Sequence, residues 1–172
     1  MKAHLAKYAP LLTMLIFPVL GLMYKLVNRP NEKVYMLVTD WDRAIPYVKY
    51  FAVPYGIWIF YIYICLVYFF IKDSKVYFRS LMTYMVCAIF CYVVYYFYQT
   101  TVPRPILSGN DVFTQLVAYI YNRDRPFNCF PSIHCFSSYM VMKALYTSSF
   151  KNRVNQTIIY GMSSLIIVST LM

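Results

Sequence analysis

Long apolar runs separated by short charged loops set the limits on what this chain can fold into. Five can be drawn, over about Tyr8 to Val27, Val53 to Ile71, Leu81 to Gln99, Ser132 to Tyr146 and Gln156 to Met172. Crossing ~30 Å of hydrocarbon takes ~20 apolar residues in a helix. The runs come near that length, the fourth being the short one. In lipid the backbone must satisfy its own hydrogen bonds, so runs of this kind become helices. A soluble domain of 172 residues cannot hide a composition that is 61% hydrophobic, 20% aromatic and only 13% charged. The mean hydropathy of +0.53 points the same way. The sequence predicts an all-α, polytopic membrane helix bundle of five spans, forming one domain over residues 1–172.

The formal net charge of +10 does not make this a nucleic-acid binder. Lys and Arg cluster at the ends of the apolar runs, where they anchor helices and set topology, and no basic tract is patterned for a groove or a single strand. Lys2 and Lys7 precede the first span, Lys72, Lys75 and Arg79 fill the loop after the second, and Lys151 and Arg153 fill the loop after the fourth. By the positive-inside rule these regions face the cytoplasm, which places the N-terminus inside and the two longer loops, Asn28 to Ala52 and Thr100 to Pro131, outside. The first run lacks a small-residue cleavage site and is followed by further spans, so it is expected to stay as the first helix of a multi-pass protein of the cell membrane. Residues Asp40 to Trp58 are expected to form an interfacial helix and turn on the outer face. Tyr92, Tyr95, Tyr96 and Tyr98 predict tight interhelical packing with hydroxyl hydrogen bonds. No Asp or Glu falls inside an expected span, which weighs against an ion-coupled transporter.

Two short stretches carry residues with chemistry. Val102-Pro103-Arg104-Pro105 ends the third run with a permanent cation between two prolines. A guanidinium there either clamps phosphate in bidentate fashion or anchors the helix by snorkelling to headgroups; the flanking prolines favour the clamp. Cys129-Phe130-Pro131-Ser132-Ile133-His134 opens the fourth run. Pro and Ser suit a helix start, where free N–H groups and the positive dipole end attract anions. His134 adds a titratable imidazole to that anion site, although a lone interfacial histidine is more often without a role. The five cysteines show no metal-ligand spacing. Cys129 and Cys135 are not expected to pair, because a helix start between them points them apart. No metal and no cofactor is expected.

Taken in order, these residues resemble the first two signature motifs of the type 2 phosphatidic acid phosphatase superfamily, Lys-x6-Arg-Pro and Pro-Ser-x-His. The resemblance runs over roughly Asp40 to His134 and is closest to the branch of inositolphosphorylceramide synthase and sphingomyelin synthase-like proteins. That branch has an Asp…Ile-Pro…Pro-Tyr…Trp stretch before Cys-Phe-Pro-Ser-x-His; here these are Asp42, Ile45, Pro46, Pro54, Tyr55 and Trp58. The resemblance implies a six-helix core whose active face lies outside the membrane. It implies that Arg104 binds substrate phosphate, with Ser132 and the N–H groups around Ile133 holding further oxygens. His134 would be the general acid that protonates the departing alcohol, in a metal-independent phosphohistidine mechanism. The substrate would be a phosphatidate, a polyprenyl diphosphate or a phospholipid headgroup donor, and the reaction hydrolysis or phosphotransfer. Two features depart from the family. Phe97 stands where the first motif has lysine, and the third motif, Ser-Arg-x5-His-x3-Asp, with its nucleophilic histidine, does not follow His134. The chain then reads as a C-terminally incomplete enzyme. The alternatives are an inactive binder of lipid phosphate and an unrelated channel or transporter.

Overall fold

The computed structural model describes residues 8–30 and 33–171. Lys2 and Lys7, used for topology above, and Met172, the expected end of the last span, lie outside the described residues. Among the described residues seven α-helices predominate: α1 (Ile16–Val27), α2 (Asp40–Ala44), α3 (Ala52–Lys72), α4 (Ser74–Phe97), α5 (Val112–Arg123), α6 (Ile133–Tyr146) and α7 (Arg153–Ser169). The all-α expectation agrees with this. Three helical stretches are long and apolar enough to cross a membrane: Ala9–Val27, in which a 3-10 turn precedes α1, Lys49–Lys72, and Ser74–Phe97. The fourth and fifth expected spans are helices, but at 14 and 17 residues α6 and α7 reach only about 21 and 26 Å.

One residue makes the sharp turn between the two longest helices. Asp73 is extended, closes α3 and caps α4 by accepting from the Lys75 N–H at 2.8 Å. Because of that cap, α4 begins seven residues before the expected Leu81, taking the charged turn into the helix. Its buried residues, among them Tyr77, Leu81, Tyr84, Ala88 and Tyr95, recur every three or four positions, the spacing of one helical face. Tyr92 and Tyr95 are buried as expected, but Tyr96 and Tyr98 are 66% and 44% exposed, since they fall off that face. Tyrosine hydroxyls do tie the helices together: Tyr61 donates to the Ile159 carbonyl at 2.9 Å and meets Ser163 Oγ at 2.7 Å. Ser137, Ser138 and Ser163 are fully buried, and such small residues let helix backbones approach closely. α6 packs against α3, α4 and α7, and so lies inside the bundle.

The two longer loops hold structure that the apolar pattern does not reveal. Val34–Met36 (β1) and Gln99–Thr101 (β2) pair in parallel, with Val34 opposite Gln99 and Met36 opposite Thr101. The expected interfacial helix is cut short: α2 has only five residues, and after a 3-10 turn at Lys49–Phe51 the long apolar helix α3 already contains Trp58. The loop from Thr100 to Pro131 carries α5, packed against the start of α3. Asp111 caps α5, accepting from the N–H groups of Phe113 (3.1 Å) and Thr114 (3.3 Å), and also binds Lys49 Nζ at 2.7 Å.

The Lys49 ammonium and the Thr114 hydroxyl hold the Asp111 carboxyl well below the usual carboxylate range. The folded chain therefore binds fewer protons here than the unfolded chain. The contribution is complete above about pH 4 and fades as the pH falls from there through the lowered folded value. Asp111→Ala is expected to speed amide hydrogen exchange at Phe113 and Thr114 at neutral pH and to erase that acid dependence. Unchanged exchange would show that the cap does not hold α5.

Candidate functional site

At one end of the bundle the C-terminal ends of α1 and α5 meet the N-terminal turns of α3 and α6. Ser132 is the N-cap of α6: its Oγ accepts from the Cys135 N–H at 3.3 Å, while its carbonyl accepts from the Phe136 N–H at 3.1 Å. The cap consumes one lone pair and leaves the hydroxyl proton to donate. The N–H groups of Ile133 and His134, in the first helical turn, have no partner further back in the helix. The turn thus presents two N–H groups and a hydroxyl proton, and the imidazole that follows is held from both sides.

His134 lies between two rings. Tyr55 stacks on it with centroids 4.2 Å apart and planes 25° apart, and Trp58 tilts against it at 4.1 Å. Both come from α3, one helical turn apart, which is why a Pro-Tyr…Trp stretch so far upstream bears on this histidine. The clamp is itself fixed. Trp58 Nε1 donates to Ser137 Oγ at 2.7 Å, and Ser137 Oγ donates to the Ile133 carbonyl at 2.7 Å. Tyr55 Oη donates to Asp124 Oδ2 at 2.8 Å. The other oxygen, Asp124 Oδ1, accepts from Tyr24 Oη at 2.7 Å and more weakly from Asn28 Nδ2 at 3.5 Å. Although no acid lies within an expected span, this carboxylate reaches two of the apolar helices from a loop.

Arg104 is anchored close by. Its Nη1 donates to the Tyr121 carbonyl at 2.9 Å, its Nη2 donates to the Asp124 carbonyl, and its guanidinium lies 4.1 Å over the Tyr121 ring. A cation on the last carbonyls of α5 complements the negative end of that helix. Two of the five guanidinium N–H groups are thereby committed and three are left for a ligand. No hydrogen bond or ring contact joins Arg104 directly to His134 among the described residues. The link runs through Asp124, whose carbonyl holds Arg104 and whose carboxylate holds Tyr55, the ring stacked on His134.

A buried polar knot aims the Pro-Ser-Ile-His turn. Gln99 and Thr100, in β2 just after α4, are fully buried. Asn128 adopts a left-handed backbone, with φ of 65°, a conformation Asn tolerates better than most residues. Its N–H donates to the Thr100 carbonyl at 2.8 Å, its Nδ2 donates to the Val27 carbonyl at 3.2 Å, and its Oδ1 accepts from Gln99 Nε2 at 3.2 Å. The Phe130 N–H donates to Thr100 Oγ1 at 3.0 Å, and Tyr95 Oη donates to the Pro131 carbonyl. The roles of Gln99, Thr100, Asn128 and Asp124 were not evident in the sequence, whereas a hydroxyl hydrogen bond from Tyr95 was expected. The available signal was a polar Gln99-Thr100 pair following a long apolar run, where groups without partners would be costly.

Burial pushes the Cys129 thiol up, so little thiolate is present at neutral pH and this cysteine is a poor nucleophile. All five cysteines are free. Among the described residues no three His, Cys, Asp or Glu side chains gather to hold a metal ion.

Tyr55→Phe separates the two functions of that residue, keeping the ring on His134 and removing the bond to Asp124. The expected cost is about 1–2 kcal/mol, read as a lower thermal midpoint in detergent. An unchanged midpoint would mean that the bond adds nothing to stability. Compared with protein-family models, with curated proteins and with solved structures, the chain matches none.

Proposed function

We propose that this chain acts on a lipid phosphate at the outer membrane face, as a phosphatase or phosphotransferase related to the type 2 phosphatidic acid phosphatases, with five membrane spans. The observation that carries the reading is His134 in the first turn of α6, clamped between Tyr55 and Trp58 next to the Ser132 cap. Substrate phosphate would lie against the N–H groups of Ile133 and His134 and the Ser132 hydroxyl, where the helix dipole favours negative charge. The open N–H groups of Arg104 would take a further oxygen from the loop side. His134 would give its proton to the alcohol oxygen as the phosphorus–oxygen bond breaks. Hydrolysis and transfer then differ only in whether water or a lipid alcohol takes the phosphoryl group. The substrate is a phosphatidate, a polyprenyl diphosphate or a phospholipid headgroup donor. Amide dipoles and arginine neutralise the developing charge, so no cofactor enters.

In the related mechanism a second imidazole attacks phosphorus. His134 is the only histidine among the described residues, so the roles assigned to them are phosphate binding and leaving-group protonation. The same observation favours a second reading, in which the chain binds lipid phosphate without turning it over. One assay separates the two. Protein in phosphatidylcholine nanodiscs is given radiolabelled phosphatidate, and phosphate release, transfer to a lipid alcohol and retained substrate are measured together. Release or transfer supports the enzyme, and saturable retention without either supports the binder. Neither signal with any lipid phosphate would overturn both and return the chain to the channel or transporter class.

A further inference from the structure

A basic cavity lies beside this cluster and shares only Asn28 with it. A cavity of about 190 Å³ opens between the end of α1 and the end of α5, lined by Lys25, Asn28, Arg29, Arg123 and Arg125. Four cations thus surround one small space, with no acid in its lining among the described residues. Asp124 stands between two of the arginines in sequence, but its carboxylate is turned to Tyr24, Tyr55 and Asn28. The ion pairs among the described residues, Arg43 with Asp40 and Lys49 with Asp111, involve none of these cations. Arg123 has a neutral partner, donating to Tyr119 Oη at 2.7 Å. Charges this close are within a Debye length of one another and repel, so the arrangement is relieved by a bound anion. Paired guanidinium groups favour phosphate, which they grip in bidentate fashion.

Two further observations narrow the ligand. Lys25 falls in the last turn of the apolar stretch Ala9–Val27 and Arg29 just beyond it, which puts the cavity at the membrane–water boundary, the level of lipid headgroups. The cavity is smaller than the ~300–1,000 Å³ usual for a whole drug-sized ligand, so it takes a headgroup while the acyl chains stay in the bilayer.

We propose that this basic cavity binds the phosphate of an anionic lipid headgroup, at a site separate from His134. The test is native mass spectrometry of the purified chain in neutral detergent, titrated with short-chain phosphatidylglycerol or phosphatidylcholine. Phosphatidylglycerol is expected to bind about tenfold more tightly. Arg123→Gln with Arg125→Gln should erase that preference, since each basic residue near an anionic lipid is worth roughly fivefold. Lys25→Gln with Arg29→Gln is an independent pair should the first variant fail to fold. His134→Ala should leave phosphatidylglycerol binding unchanged, whatever becomes of lipid-phosphate turnover; a loss there would move the anion to the α6 site. Equal binding of the two lipids, or no response to either charge pair, would overturn the proposal and leave the cations as complements to helix ends. Displacement by an equal concentration of inorganic phosphate would assign the site to the free ion instead.

Discussion

Replacing His134 with alanine is expected to lower phosphate release or transfer by at least about a hundredfold, the usual scale for a positioned general acid. The group touches the reacting oxygen in the proposed arrangement, and no other imidazole among the described residues can take its place. Alanine also leaves a gap between Tyr55 and Trp58, so His134→Gln is the companion variant that keeps most of the volume. If both lose turnover while substrate retention and thermal midpoint stay near those of the parent chain, the proton is the missing element. A rate that falls only in step with folded fraction would assign the imidazole to packing, and unchanged turnover in both would remove it from the mechanism.

The second large effect is expected at Asp124. Asp124→Ala removes the acceptor for Tyr24, Tyr55 and Asn28 at once, and these come from α1, α3 and the segment after α1. Each buried donor left without a partner costs about 1–3 kcal/mol, so a loss of about 3 kcal/mol or more is expected. For a chain of this size that is a fall of roughly 10 °C in the thermal midpoint. Asp124→Asn keeps one acceptor and should recover part of the loss. Because Tyr55 stacks on His134, the alanine variant should also weaken phosphate retention. A midpoint within about 1 °C of the parent chain would show that water replaces the carboxylate and that the network is not a structural tie.

How much of this could be read beforehand depended on how local the physics was. The second apolar run, drawn from Val53 to Ile71, is α3 to within a residue at each end, because continuous hydrophobicity is a property of neighbours in sequence. The start of α6 after Ser132 was equally legible, since Pro and Ser shape the first turn through their own backbone and hydroxyl. The onset of α4 at Ser74 was not, because it turns on whether Asp73 caps the helix or simply solvates a loop. Helix α5 was missed for a similar reason: its twelve residues are only partly apolar, and it is held by an Asp111 cap and a lysine 62 positions away.

Residues with chemistry divided the same way. Arg104, Ser132 and His134 announced themselves by charge, by capping chemistry and by rarity. Their surroundings did not. Nothing in the order of residues says that Asp124 turns its carboxylate to Tyr24 and Tyr55 rather than to the arginines on either side of it, or that Arg104 grips the end of α5.

The sequence by itself determined a helical protein built around apolar segments, and the places where a helix end, a cation and an imidazole would lie. Each of those follows from interactions within a few residues or from transfer out of water. Only the tertiary structure decided that Tyr55 and Trp58 close on His134 and that one carboxylate ties α1 to α3. It alone gathered Lys25 and Arg29 with Arg123 and Arg125 around one cavity. The partners in each case lie about 70 to 100 residues apart, and which long-range pair forms is settled by packing and by the cost of leaving a buried polar group alone.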